Sequence, residues 1–243
     1  MDKISFTLAE QDIPAVMSIS LTIIGFIAYW FIAESPKRKA SFEHQYPQDK
    51  ATVLWVQFQK YTGVFFLGFI PLIICLFTLP FSLTELGLGF QNTGTSMLWI
   101  CGLSCIIFPL NISAAKRPQN LSMYPMIRAK VWDSKLIVIN ALATISYLFA
   151  YELLFRGILL TACVYSLGVW PAIVINVALY SAVHLPKGPA ETIGALPFGL
   201  LICYITLTTG TIWVAVMIHI ILSLSNDYLA LYYNPEMQVK FRS

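Results

Sequence analysis

The chain has 243 residues, 58% of them apolar and only 11% charged, with a mean hydropathy of +0.73. Soluble domains carry about 25% charged residues, so this composition excludes a soluble globular protein and a large soluble domain. The alternating pattern of an outer-membrane barrel is absent, the net charge of +3 shows no basic stripe for nucleic acid, and a lipid bilayer is the expected surrounding.

The N-terminus does not read as a cleaved signal, because Asp2, Glu10 and Asp12 outweigh Lys3 where a basic start is needed. Seven apolar stretches then follow, at 15–33, 61–80, 95–113, 136–165, 170–184, 190–209 and 211–233. Each is long enough, or nearly so, for about 30 Å of hydrocarbon. The fifth is short. The fourth is long, but no Gly or Pro lies between Lys135 and Arg156, so one tilted helix is the simpler expectation. A further interfacial helix fits 114–134 or 51–60. The fold class is therefore all-α, a polytopic membrane bundle of seven or eight helices. Residues 1–119 form an N-terminal part that offers topology alone, and 120–243 a C-terminal core, in one integral membrane domain.

Orientation follows from the basic residues. With seven spans and the N-terminus outside, the cytoplasmic segments hold Lys37, Arg38, Lys39, Lys50, Lys60, Lys116, Arg117, Arg128, Lys130, Lys135, Lys187, Lys240 and Arg242, 13 of the 15. This places the C-terminus in the cytoplasm; the expected location is the plasma membrane. The five cysteines lie in apolar segments without zinc spacing and read as small core residues.

Three polar spots interrupt the later spans. Glu152 and Arg156, at i and i+4, share one helix face at membrane depth, where ionisable groups are costly and mark functional cavities. Tyr180 and His184 are spaced likewise at the end of the fifth span. There Pro186 and Pro189 force a turn, and Glu191 falls in the first turn of the next helix. His219, Ser223 and Asn226 form a stripe on the last span, bordered by Asp227. Each spot alone also fits a bland reading: a self-neutralising ion pair, an interfacial histidine, a helix-start carboxylate, or hydrogen bonds to a neighbouring helix. At about 1.5 Å per residue, Glu152 is expected some 15–20 Å deeper than His184.

The order Glu-x-x-x-Arg-Gly, aromatic-x-x-x-His, His-x-x-x-polar resembles the CPBP family. That family comprises type II CAAX prenyl proteases and bacterial relatives linked to bacteriocin processing and immunity. The resemblance covers roughly 120–233. It implies an intramembrane endopeptidase acting on membrane-anchored or lipidated peptides or proteins. In the family pattern a first glutamate, with the second-motif histidine, activates water, and the third motif stabilises the oxyanion. On this chain Glu152 matches the second glutamate, Tyr151 stands where the first belongs, His184 and His219 match the two histidines, and Ser223 replaces the usual Asn or Asp. A phenol with a reference pKa of about 10 is no carboxylate base. Either Glu152, Glu191 or Asp227 supplies the base, or the chain binds a partner without cleaving it, as an immunity or peptide-binding protein would. Asn226 is a further candidate for the oxyanion. No cofactor is required. A zinc set of Glu152, His184 and His219 is a lesser alternative resting on spatial convergence, and a transporter another.

Overall fold

The computed structural model describes residues 6–240; Asp2, Lys3 and Arg242 of the charge reading lie outside them. The chain is an α-helical bundle. Helices α1 (Ile13–Ala33) and α2 (Pro36–Gln45) lead into α3 (Gln48–Thr78) and α4 (Thr93–Ala115). A short α5 (Pro118–Met123) precedes α6 (Ser134–Leu167), α7 (Val169–Ala182), α8 (Pro189–Thr209) and α9 (Trp213–Tyr233). Among the described residues six helices are long and apolar enough to cross a membrane, and α7 is a shorter apolar helix. The apolar lengths thus located the spans, but the fifth stretch, expected to be short, falls below a full crossing: 14 residues of α7 rise only about 21 Å. One addition to an all-α fold is a two-residue parallel pairing, Val131 with Gln238 and Trp132 with Val239, which ties the C-terminus beside the start of α6.

The long fourth stretch is one helix, begun by Asp133, whose carboxylate accepts from the Leu136 N–H at 2.8 Å. Its middle, Leu153–Leu159, is π-helical, and the Leu160 N–H reaches back to the Phe155 carbonyl. Every residue from Ala150 to Leu160 is buried. A helix buried on all faces is the centre of its bundle, and α1, α3, α7 and α9 all pack against α6. Small residues permit that approach. A Cβ on Gly68 of α3 would meet the Ala150 Cβ at 2.6 Å, and one on Gly63 would meet the Tyr147 ring.

Three local expectations change. Lys60 is not a loop residue: α3 runs unbroken from Gln48, and Lys60 is buried at 6% exposure. The 51–60 stretch is therefore the first part of a long apolar helix, and the one helix lying wholly within 114–134 is the short α5, ahead of the Val131–Trp132 pairing. Cys75, Cys163 and Cys203 are buried, but Cys101 and Cys105 face outward on α4. An apolar helix face turned to lipid has no need of large side chains or of core packing, so apolarity alone does not distinguish the two settings.

Candidate functional site

The first polar spot sits where α6 passes from α-helical to π-helical, after Glu152. Such insertions are frequent at functional sites because they re-aim side chains and free backbone groups. Here the Phe155 carbonyl also accepts from Asn176 Nδ2 of α7 at 2.6 Å, and the Cys203 thiol of α8 donates to Asn176 Oδ1 at 3.2 Å. Asn176 thereby pins the irregular turn to two neighbouring helices. A lone Asn in an apolar helix was the sequence signal for it.

Glu152 is enclosed. Arg156 Nη1 lies 3.1 Å from Glu152 Oε2, and both side chains are almost wholly buried. His219 Nδ1–H donates to Glu152 Oε1 from α9. The Arg156 guanidinium also stacks over the Tyr180 ring, 4.2 Å from its centroid, and Tyr180 Oη lies 3.4 Å from His219 Nε2. The first and third motifs are therefore one hydrogen-bonded cluster, with Tyr180 of the second as its floor. A carboxylate hydrogen-bonded through Oε1 by Arg156 and His219 and ion-paired through Oε2 has a fixed orientation.

His184 lies beyond the end of α7, in the turn formed by Leu185–Lys187. The helix stops short because Pro186 has no N–H to donate to the carbonyl four residues back and its ring crowds that turn. Gly188, at φ +97°, then reverses the chain into Pro189 at the start of α8, a conformation that side chains with a Cβ rarely adopt. His184 Nδ1–H donates to the Tyr180 carbonyl at 2.8 Å, which leaves Nε2 with its lone pair. Burial first, and the Lys187 ammonium second, push this imidazole down to about 4.

A cavity of about 370 Å³ gathers these groups. Tyr151, His184, His219, Ser223 and Asp227 line it, together with Lys60 of α3 and aromatic residues of α1. The 15–20 Å depth gap expected between Glu152 and His184 is not found. Tyr180 touches the Glu152 cluster and His184 is one turn further on, so both histidines face one cavity. Tyr151 packs its ring 5.8 Å from that of His219, and its hydroxyl is buried without a hydrogen-bond partner.

Two candidates stand apart. Glu191 does not line the cavity: Tyr124 Oη–H donates to it at 3.2 Å, Lys187 lies 3.5 Å away, and its side chain is a third exposed. Burial and then Glu191 raise the Tyr124 pKa, so the phenol stays a donor. Asn226 is also absent from the lining, because it is rotated off the face shared by His219, Ser223 and Asp227 at i, i+4 and i+8. Among the described residues no group of three His, Cys, Asp or Glu side chains is placed to hold a metal ion. The zinc set of Glu152, His184 and His219 does not converge, since both Glu152 oxygens are turned to Arg156 and His219.

A second polar cluster was missed in the sequence. Lys60 Nζ donates to Asn140 Oδ1 at 2.8 Å and to Thr144 Oγ1 at 2.6 Å, and Asn140 Nδ2 donates to Asp227 Oδ2 at 3.3 Å. Single polar residues inside apolar spans were again the available signal.

No curated protein and no solved structure matches the chain. Residues 133–225 match the family model of the Rce1-like type II CAAX prenyl endopeptidases. That stretch begins at the cap of α6, ends within α9, and contains Glu152, Arg156, Tyr180, His184 and His219. Over that stretch the chain is similar to the type II CAAX prenyl endopeptidases of the Rce1-like kind, in the CPBP family.

Proposed function

We propose that the protein is an intramembrane endopeptidase that hydrolyses a peptide bond of a membrane-anchored or lipidated peptide or protein inside this cavity. The observation that carries the reading is His184, a neutral imidazole with its Nδ1–H committed to the Tyr180 carbonyl and its Nε2 free beside the Glu152–His219 pair. Water at Nε2 gives its proton to His184 while its oxygen attacks the carbonyl carbon. His219, held by Glu152 through Nδ1, stands beside the developing oxyanion, and the Ser223 hydroxyl on the same helix face donates to it. The proton on His184 then passes to the leaving amine as the C–N bond breaks. Arg156 holds Glu152 in place and touches no reacting atom. In this scheme Tyr151 needs no basicity, and Glu191 and Asn226 stay outside the machinery. By the positive-inside bias the cavity opens toward the cytoplasm, with the N-terminus outside and the protein in the plasma membrane.

A second reading rests on Tyr151 itself: a buried phenol without a partner occupies the place of the family's first glutamate. On that reading the cavity binds a peptide without cutting it, as an immunity protein would.

The test is cleavage of lipidated peptides by the full chain in bilayers. His184→Ala should lower the rate by at least about a hundredfold. The wild-type rate should not fall through protonation of His184 until the pH nears about 4, since the lowered pKa keeps the imidazole neutral above that. Full activity in His184→Ala overturns the scheme, and wild-type protein that binds every peptide and cuts none favours the second reading.

A further inference from the structure

We propose that a groove at the start of α6 holds the headgroup of an anionic phospholipid through its singly charged phosphodiester. The groove lies apart from the cavity of the two histidines and does not depend on the peptidase reading.

Its volume is about 480 Å³, within the ~300–1,000 Å³ of small-molecule sites and too large for a bare ion to fill. Three parts of the chain meet there. Lys50 and Val53 come from α3, Lys135, Leu136 and Ile139 from α6, and Lys240 from the C-terminal segment. Lys240 is brought in by the parallel pairing, where its backbone N–H donates to the Trp132 carbonyl at 2.9 Å.

The lining carries three ammonium groups and two carboxylates, those of Asp49 and Asp133. Both carboxylates are engaged by backbone: Asp133 Oδ1 accepts from the Leu136 N–H at 2.8 Å, and Asp49 Oδ1 from the Lys130 N–H at 3.4 Å. Among the described residues no carboxylate oxygen lies within 4.0 Å of Lys50, Lys135 or Lys240. Lys50 instead stands over the Tyr46 ring, 4.9 Å from its centroid, which places the charge without neutralising it. One positive charge is left over, and a monoanion matches it. A phosphodiester supplies that charge on two free oxygens, which can accept from ammonium groups of different segments.

The outer face of α6 selects a lipid over a soluble phosphate. Beyond Lys135, at i+3 and i+7, the same face carries Val138 and Leu142, 54% and 57% exposed. Ammonium groups at headgroup level with bare apolar surface beyond them fit a lipid along its length, phosphate first and acyl chains after. On the orientation proposed above, the groove faces the anionic cytoplasmic leaflet. A lipid held between Lys135 and Lys240 clamps the C-terminal segment to the helix that carries Tyr151 and Glu152.

Native mass spectrometry of the full chain in detergent reads the site directly. Phosphatidylglycerol should bind about tenfold more tightly than phosphatidylcholine of the same acyl chains, the value of one charged hydrogen bond. The triple change Lys50→Gln, Lys135→Gln, Lys240→Gln should erase the preference, and arginine at the three positions should keep it. Should the triple glutamine variant fail to fold, Lys240→Gln alone must still lower the preference at least twofold. Removing three charges elsewhere, with Lys37→Gln, Lys39→Gln and Lys116→Gln, should leave it intact. The inference is overturned if the two lipids bind equally, if the preference survives the glutamine changes in the groove, or if the distant changes erase it as well. Glycerophosphoglycerol, the same phosphodiester without acyl chains, separates the other source of the anion. It should not displace the lipid at equal concentration; displacement there assigns the groove to a soluble phosphate and overturns the lipid assignment.

Discussion

The cavity has a polar cluster at each end, and the two are built on opposite plans. At one end Glu152, Arg156 and His219 touch directly, and the carboxylate is enclosed by its partners. At the other end Lys60 and Asp227 are kept apart by the Asn140 amide. Direct contact fixes geometry and neutralises the charges in place. Separation leaves both charges partly uncompensated across a neutral amide. The first plan suits groups that must stand still during a reaction, and the second suits a wall that stays polar.

The contrast breaks most visibly at Arg156. Arg156→Met leaves Glu152 charged and buried on one partner, and should cost about 3–5 kcal/mol. Thermal unfolding in detergent reads the loss, and Glu152→Gln added to it should recover part. A loss under about 1 kcal/mol would mean that the pair is not the lock described here. Asn140→Leu should be milder, about 1–3 kcal/mol, since it strands hydrogen-bonding groups of Lys60 and Asp227 that the cavity can hydrate. An effect equal to that of Arg156→Met would erase the distinction between the ends. The smallest effect is expected for Glu191→Gln, within about 0.5 kcal/mol, because its partners are solvent-accessible. Cleavage should stay within about twofold of wild type. A collapse of the rate would return Glu191 to the list of bases.

Much of the bundle was readable from hydrophobic lengths, because hydrocarbon thickness dictates them. The segment 136–165 was expected as one helix and is one, and the motif order on α6, α7 and α9 announced a shared site. Three features were not readable. The π-helical turn after Glu152 has no Pro, and its single Gly157 does not set it apart from ordinary helix; its partner is Asn176, two turns into the next helix. Lys60 and the start of α3 looked like a loop because a helix that faces a polar cavity carries polar residues there, and hydropathy scores them as surface. The approach of His184 to the Glu152 cluster depended on where α7 stands beside α6, which spacing within either helix does not encode.

The walls of the cavity come from both ends of the chain. Phe26, Tyr29, Trp30 and Lys60 belong to helices α1 and α3, whereas Tyr151, the histidines and Ser223 come from α6 through α9. Shape and reactivity are thereby inherited separately. Exchanging α1 and α3 between relatives would re-cut the mould that receives a substrate while leaving the reacting groups untouched. A lineage could then change diet through the half of the sequence that carries no motif at all.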